Sequence, residues 1–265
     1  MDVVKFTETV FSSKGKSGNL APDKDGYYTL ILGALNTDNS AGEYYTAEGA
    51  LELFQESSQL MRRIKNGALY AELGHPKKQP GMTTEQFYNR VLTIEETNIC
   101  AHIAEVTLDF NFGKNHPELN NPKLIAIIGK VRPAGAKAQA VQIALENPRQ
   151  NCAFSIRGLT ENKYINGKTL RRLTNIICWD HVPEPGISVA DKVWSPACEQ
   201  RVISTEGRVT ELVDTVVDKE LMIKVLSNNL SAIGMESSYG MFNDILKSLK
   251  QKETGNRLSL SDSMI

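Results

Sequence analysis

Apolar and polar positions alternate with a period of two through Cys100–Phe112, "CAHIAEVTLDFNF". His102, Ala104, Val106, Leu108 and Phe110 fall on one side, which predicts a half-buried strand. Denser apolar runs in "YYTLILGAL", "KLIAIIGKV" and "NCAFSIRGL" predict further strands, more deeply buried. "KYINGKTLRRLTNIICWDHV" reads as a hairpin turning at Asn166-Gly167. "LYAELGHP", residues 69–76, is a short strand that runs into a Gly-His-Pro corner. A helical period appears in residues 47–65, from Thr84 to about residue 91, and in residues 134–147. From about residue 208, "VTELVDTVVDKELMIKVLSNNL" and "YGMFNDILKSLKQK" read as helices, followed by a polar tail, "ETGNRLSLSDSMI". Gly/Ser/Asn/Asp/Pro-rich loops separate the strands in the first two hundred residues, and no internal repeat is present. The short links between strands favour an α+β class with a mainly antiparallel sheet or barrel over a doubly wound sheet.

Composition narrows the function classes. The 265 residues are 41% hydrophobic, enough for a sizeable core. With 30 basic and 31 acidic side chains, no bulk field draws the chain to nucleic acid or to an anionic membrane, so neither is expected as a partner. The N-terminal "MDVVKFTETV" lacks the apolar stretch of a secretion signal, and no run is long enough to span a bilayer, so a cytosolic protein is expected. Cys100, Cys152, Cys178 and Cys198 are far apart with no C-x-x-C pair, which predicts reduced thiols and no zinc knuckle. Phosphate-binding glycine loops, dinucleotide fingerprints and metal-ligand clusters are missing, so no metal and no cofactor are expected.

Chemistry concentrates in three short stretches. His75 sits between a flexible Gly74 and the φ-locked Pro76, at a strand end where sites are often built. Ser155, in "NCAFSIRGLTEN", lies on an apolar strand just before Arg157 and Gly158. A serine hydroxyl becomes a useful nucleophile only beside a general base, and His75 is the candidate base. A third group must hold the imidazole; Asp180 in "CWDHVPEPG" can do so, with His181 next door as its rival. Neighbours on a strand face opposite sides, so only one of the two can point at His75. A carboxylate is the stronger acceptor for a ring N–H, which favours Asp180. Donors to an oxyanion are available in the backbone near Arg157 and Gly158 or in the turn around Gly186 and Ile187. His102 reads as a core or interface histidine, His116 as a surface one, and Lys168, Arg171 and Arg172 as a solvated hairpin cluster. Cys152, three residues before Ser155, points to the opposite strand face and is rejected as a nucleophile.

"AELGHP", "FSIRGL" and "WDHVPEP", in that order, resemble the prohead (capsid maturation) serine proteases of large tailed bacteriophages, distant relatives of the herpesvirus assemblin proteases. The resemblance covers roughly residues 27–190 and implies a herpesvirus-protease-like fold, an antiparallel β-barrel surrounded by helices. It assigns Ser155 as nucleophile, His75 as general base and Asp180 as orienting acid. Ile156 departs from the phage pattern, where a second small residue is common. The implied activity is endopeptidase cleavage of scaffold, capsid and internal head proteins after Glu, inside the immature phage head in the host cytoplasm. A homo-oligomer is compatible with it. Self-cleavage sites of the implied type are "STEG", after Glu206, and "GMES", after Glu236. The expected organisation is a protease domain over residues 1–205 and a removable helical segment and tail over 206–265. The alternative of another class is a structural or scaffold protein of the phage head that does not cut.

Overall fold

The computed structural model describes residues 4–13, 17–196, 198–202, 207–232, 240, 242–247 and 249–250. Twelve strands run in chain order: β1 (Val4–Ser13), β2 (Ser17–Asn19), β3 (Tyr28–Leu35), β4 (Thr37–Asp38), β5 (Tyr44–Thr46), β6 (Tyr70–Leu73), β7 (Ile99–Asp109), β8 (Ile125–Pro133), β9 (Ala153–Ile165), β10 (Lys168–Val182), β11 (Glu199–Val202) and β12 (Gly207–Val217). Among the described residues, the helices α1 (Gln59–Lys65), α2 (Thr84–Leu92), α3 (Phe112–Asn115), α4 (Ala138–Glu146) and α5 (Lys219–Ala232) accompany them, and residues 242–247 are helical as well. The main sheet follows the path β12-β1-β9-β10-β6-β7-β8-β3, with β5 and β4 attached beside β10. Most pairs are antiparallel, but β10 pairs in parallel with both β6 and β5. The architecture is thus α+β with a mixed sheet curled into a half-barrel, rather than a purely antiparallel barrel. At its far end β3 comes back to β9, where Gly33 faces the Ile156 side chain.

Two apolar clusters fill the fold. β3 contributes Leu30 and Leu32 to the larger cluster and Ile31 and Ala34 to the smaller one, which explains why its sequence is apolar throughout. The larger cluster also takes Ile103, Ile127, Phe154 and Trp179, all without solvent contact. Residues 186–195 strap the two sheet ends together. Lys192 N donates to Cys152 O (2.9 Å), Asp191 bridges Ala153, and Ile31 N donates to the Ser195 hydroxyl (3.2 Å). The buried Lys192 ammonium donates to Ala144 O (2.7 Å) in the last turn of α4 and to Asn147 O (2.6 Å) just beyond it, a carbonyl that also accepts from Gln150 N. Burial depresses its pKa.

The elements depart from the sequence pattern in informative places. The predicted turn at Asn166 (φ 51°) and Gly167 (φ 80°) closes the β9–β10 hairpin, and left-handed backbone at both positions is what a two-residue hairpin needs. In β7 the buried positions are Cys100, Ala101, Ile103 and Val106, and the change of phase from Ile103 to Val106 follows the register shift between Ile103 and Glu105. The bulge changes phase mid-strand, so His102 lies on the other face, bonded to the Tyr27 hydroxyl (2.9 Å). The helical period expected over residues 47–65 divides into a 3-10 turn (Leu51–Phe54) and α1, which Ser58 caps at Met61 N (3.2 Å). Residues 207–217, expected as helix, are β12, paired antiparallel with β1. Val209, Leu212, Val213 and Val216 mimic a helical repeat, but a run rich in Val and Thr pairs well once a partner strand is available. The helix begins only at α5, where Met222, Val225 and Leu226 join the larger core. Asn229 there donates to Asn89 of α2 (2.6 Å).

All four cysteines are thiols, three of them buried. Among the described residues, no helix is long and apolar enough to cross a membrane. Among the same residues, no group of three or more His, Cys, Asp and Glu side chains could hold a metal ion.

Candidate active site

The site is a row of side chains across three adjacent strands. Antiparallel pairing sets Ser155 of β9 opposite Asp180 of β10, and parallel pairing sets Asp180 beside Glu72 of β6. Residues that pair across a sheet share a face, so the three side chains stand next to one another. β6 ends one residue after Glu72, and Gly74 then turns the chain with φ 75°, a conformation an L side chain resists. Gly74 N donates to His181 O (2.8 Å), which ties the corner to the end of β10. His75 follows, and its imidazole is carried over the row.

His75 Nδ1 lies 2.7 Å from Asp180 Oδ2. With the carboxylate as acceptor, Nδ1 carries the proton and Nε2 presents its lone pair. Nε2 is buried and makes no hydrogen bond. The pair is shielded: the His75 side chain is 8% exposed and Asp180 0%. Such a carboxylate would ordinarily be pushed toward its neutral form by burial. The Arg157 guanidinium overcomes that, donating from Nε to Oδ2 (2.8 Å) and from Nη2 to Oδ1 (2.5 Å). Together with the His75 contact, it holds the Asp180 pKa down at about 2.

Behind Asp180 a second layer of charge is packed. Glu72, also without solvent contact, accepts from Glu95 N (2.7 Å) and Asn98 Nδ2 (3.1 Å), pairs with Arg90, and lies 3.3 Å from Arg157 Nη2. Burial works against its charge, yet these donors, Arg90 foremost, lower its pKa below the ordinary carboxylate value. Arg157 Nη1 also donates to Thr93 O (3.0 Å). The Arg157 side chain is therefore committed to the interior, and only its backbone is available to a substrate. Glu72, Arg90 and Asn98 did not stand out in the sequence. The available signal was an acid at an inward strand position in "YAEL", which must find a partner when buried.

His181 occupies the other face of β10. Its ring lies edge-on to Phe154, 5.6 Å between centroids, and neither ring nitrogen has a hydrogen-bond partner. Burial alone brings its pKa down to about 4. Asp180, not His181, is the group that meets His75. Cys152 is buried in the larger core, and burial raises its thiol pKa to about 12. It offers no thiolate at neutral pH.

A pocket opens at Ser155. Gly186, Ile187 and Ala190 of the strap line it, together with Leu32, Gly33 and Ile156 from the facing sheet ends and the polar side chains of Asn39 and Tyr45. Arg157 and Gly158 sit in the β9–β10 ladder opposite Cys178 and Ile176. A side chain on Gly158 would collide with the Asn175 carbonyl oxygen, a close approach created by the local bulge. Lys168 pairs with Asp38 (2.6 Å), Arg172 with Glu161, and the buried Arg171 with Glu43, so the hairpin cations are not a free basic patch. His116 packs on Phe112, 4.3 Å between centroids. Glu206 and Glu236 lie outside the described residues.

Comparison with known proteins places this geometry in context. The chain is 35% identical over 195 residues to a capsid maturation protease of Pseudomonas phage phiKZ, covering 72% of this chain and 69% of that protein. Among solved structures, the bacteriophage T4 capsid assembly protease, gp21, is similar at a TM-score of 0.38 and 10% identity. That match covers 66% of this chain and 98% of that one, a likeness too remote to guide residue assignment. The model of the Peptidase S80 family matches residues 6–247, a span that contains the His75 corner, both strands of the β9–β10 hairpin and the strap. The chain therefore belongs to the Peptidase S80 family.

Proposed function

We propose that the protein is a serine endopeptidase of phage capsid maturation, with Ser155 as nucleophile, His75 as general base and Asp180 as the acid that orients it. The observation that carries this reading is the unspent His75 Nε2, in a ring whose Nδ1 is fixed by Asp180 at 2.7 Å, on the row that begins with Ser155. In acylation, Ser155 Oγ attacks the scissile carbonyl carbon and passes its proton to Nε2. The imidazolium then protonates the departing amine, and the C–N bond breaks. Water repeats the sequence on the acyl-enzyme, with Nε2 again taking the proton. In the resting arrangement Nε2 has no partner; contacts of this kind often tighten only with substrate bound. Backbone N–H groups of the Gly186–Ile187 turn are the first choice as oxyanion donors, because that turn lines the same pocket as Ser155.

The substrates that fit the phiKZ relative's name are capsid and scaffold proteins, processed inside the immature head in the host cell. Cleavage after Glu, and self-cleavage after Glu206 or Glu236, belong to the same reading. A cut after Glu206 would sever β12 and α5 from the rest of the chain, whereas a cut after Glu236 leaves both attached. The later site is thus the milder one for the core. The test is covalent: a fluorophosphonate, whose phosphorus is attacked by an activated serine hydroxyl with loss of fluoride, should label the wild type and not Ser155→Ala, and mass spectrometry of self-digested protein should map the cuts. Equal labelling of both proteins, or none with either alongside no cleavage of capsid substrates, would favour a non-catalytic head component.

A further inference from the structure

An acid bound on both oxygens by a guanidinium is a weak partner for an imidazolium, because most of its charge is already neutralised. Asp180 is in that position, held through Nε and Nη2 of Arg157. Glu72 is the group that changes the balance. It stands beside Asp180 in the parallel β10–β6 register, 0% exposed, and its Oε2 lies 3.3 Å from the same Nη2. Its Oε1 reaches Nη1 at 3.4 Å. Two adjacent buried carboxylates would repel each other without the cation between them, and the cation would disable Asp180 without the second carboxylate.

We propose that Glu72 is a positioning residue of the active site, which offsets the charge of Arg157 so that Asp180 retains negative charge to offer His75. The proposal rests on the reading of His75 and Asp180 as base and orienting acid. Arg90 is its counterweight: it pairs with Glu72, but its side chain is 20% exposed and shared with the half-exposed Glu95 at 3.1 Å. Glu72 therefore sits between an inner guanidinium at the site and an outer one at the surface. The backbone supports the same placement. Asn98 Nδ2 binds both Glu72 Oε2 and Leu73 O (3.1 Å each), which fixes the strand two residues before the His75 corner.

His75 meets Asp180 directly, and the charged and titratable groups linked to it through Asp180 are Cys178 from β10, Arg157 from β9, Cys100 from β7, Glu72 from β6, Arg90 from α2, Glu95 after α2, and Arg63 from α1. Arg63 donates to Ile177 O (2.6 Å). Lys77 and Lys78 follow His75 on the exposed side, and His181 lies on the opposite face of β10. If Glu72 offsets Arg157, removing either partner of the Glu72–Arg90 pair must move His75 in opposite directions. Loss of Glu72 leaves more positive charge beside the ring and disfavours the imidazolium; loss of Arg90 does the reverse.

The experiment is a proton titration of the four histidines by NMR in full-length Ser155→Ala protein labelled with 15N-histidine. His75 is identified by the signal lost in His75→Gln. Glu72→Gln should lower the His75 midpoint by about one pH unit, and Arg90→Gln should raise it by a smaller amount. Glu95→Gln, removing a half-exposed charge, should move it least. In the active protein, the acid limb of the kcat/KM profile should shift in the same two directions. Shifts of the same sign in Glu72→Gln and Arg90→Gln, or an unmoved His75 in a folded Glu72→Gln, would overturn the proposal. Should Glu72→Gln not fold, Arg90→Gln decides: an upward shift supports the proposal and a downward or absent one refutes it. If Ser155→Ala still cleaved, the nucleophile assignment would fall, while the ring titration would still report on Glu72.

Discussion

Asp180 and His181 are consecutive residues of one strand, both buried, and they live in different solvents. On one face, Asp180 meets an imidazole, a guanidinium and, beyond it, a second carboxylate with its own donors. On the other, His181 meets a phenyl edge and nothing that can share a proton. The first environment keeps a charge stable without solvent; the second keeps a titratable ring neutral. The difference shows that burial does not decide what an ionisable group can do. Alternation along the strand decides it, because the next residue faces the other wall.

The largest effects should separate the two faces by activity. Ser155→Ala and His75→Gln should each lower kcat by several orders of magnitude, with the double variant little worse than either single one, because the two act as a unit. Asp180→Asn should cost about 10³–10⁴ in kcat, since the amide neither stabilises the imidazolium nor fixes the ring's tautomer. His181→Phe, on the apolar face, should leave kcat within a few-fold of wild type. Steady-state kinetics on a capsid-derived peptide would check all five variants. Full activity in Asp180→Asn with loss in His181→Phe would invert the comparison.

Arg157→Met sharpens the same contrast through stability. It leaves Asp180 and Glu72 as neighbouring buried carboxylates with the guanidinium between them gone. Truncating one partner of a buried ionic network typically costs about 3–5 kcal/mol. Denaturant unfolding should show that loss, with activity falling in parallel in whatever fraction still folds. A stable, active Arg157→Met protein would mean that the charges of the row are not coupled as described.

How much of this was legible in the chain differs between the two faces as well. The triplet His75, Ser155 and Asp180 could be named because each sits in a short segment with a strong local signature, such as the glycine-proline corner. The row's inner members could not. Glu72 and Arg90 are ordinary residues on an ordinary strand and helix, and only the register of β6 on β10 joins them to Asp180. That register is parallel, a pairing between segments more than a hundred residues apart that no local pattern records. β12 was misread for a related reason: its spacing suits a helix, and its strand state depends on β1, some two hundred residues earlier. The β9–β10 hairpin, whose turn and two strands are contiguous, was readable almost residue by residue.

The two faces should also lose stability to acid over different pH windows. An unfolded histidine takes up a proton near 6.5, whereas His181 in the fold does so only at about 4. Between those values the unfolded chain binds more protons. The contribution is therefore fully present above 6.5 and is lost as pH falls toward 4, by on the order of 3 kcal/mol. Asp180 works over a lower window: its depressed pKa gives stability that is present above about 4 and lost as pH falls through about 2. Unfolding midpoints measured from pH 7 to 4 should decline in the wild type and flatten in His181→Phe. A decline of the same slope in both proteins would place the acid sensitivity somewhere other than this face.

The smallest effect concerns the pocket where the sheet ends meet. A methyl group added at Gly33 would lie 3.0 Å from Ile156 Cδ1 and 3.4 Å from its Cγ1. The Ile156 tip is the flexible end of a side chain and can turn aside, so the expected stability loss is within about 1 kcal/mol. Turning aside moves it within the pocket that Ser155 also lines, together with Leu32 and Ile187. Gly33→Ala should thus raise KM several-fold while kcat changes little, since the row of Ser155, Asp180 and Glu72 stands on the far side of the Ile156 backbone. Ile156→Val in the same chain, by shortening the displaced side chain, should restore KM toward the wild-type value. A fall in kcat at unchanged KM would instead mean that β3 braces the nucleophile strand itself, and that the two faces of the hairpin are mechanically coupled.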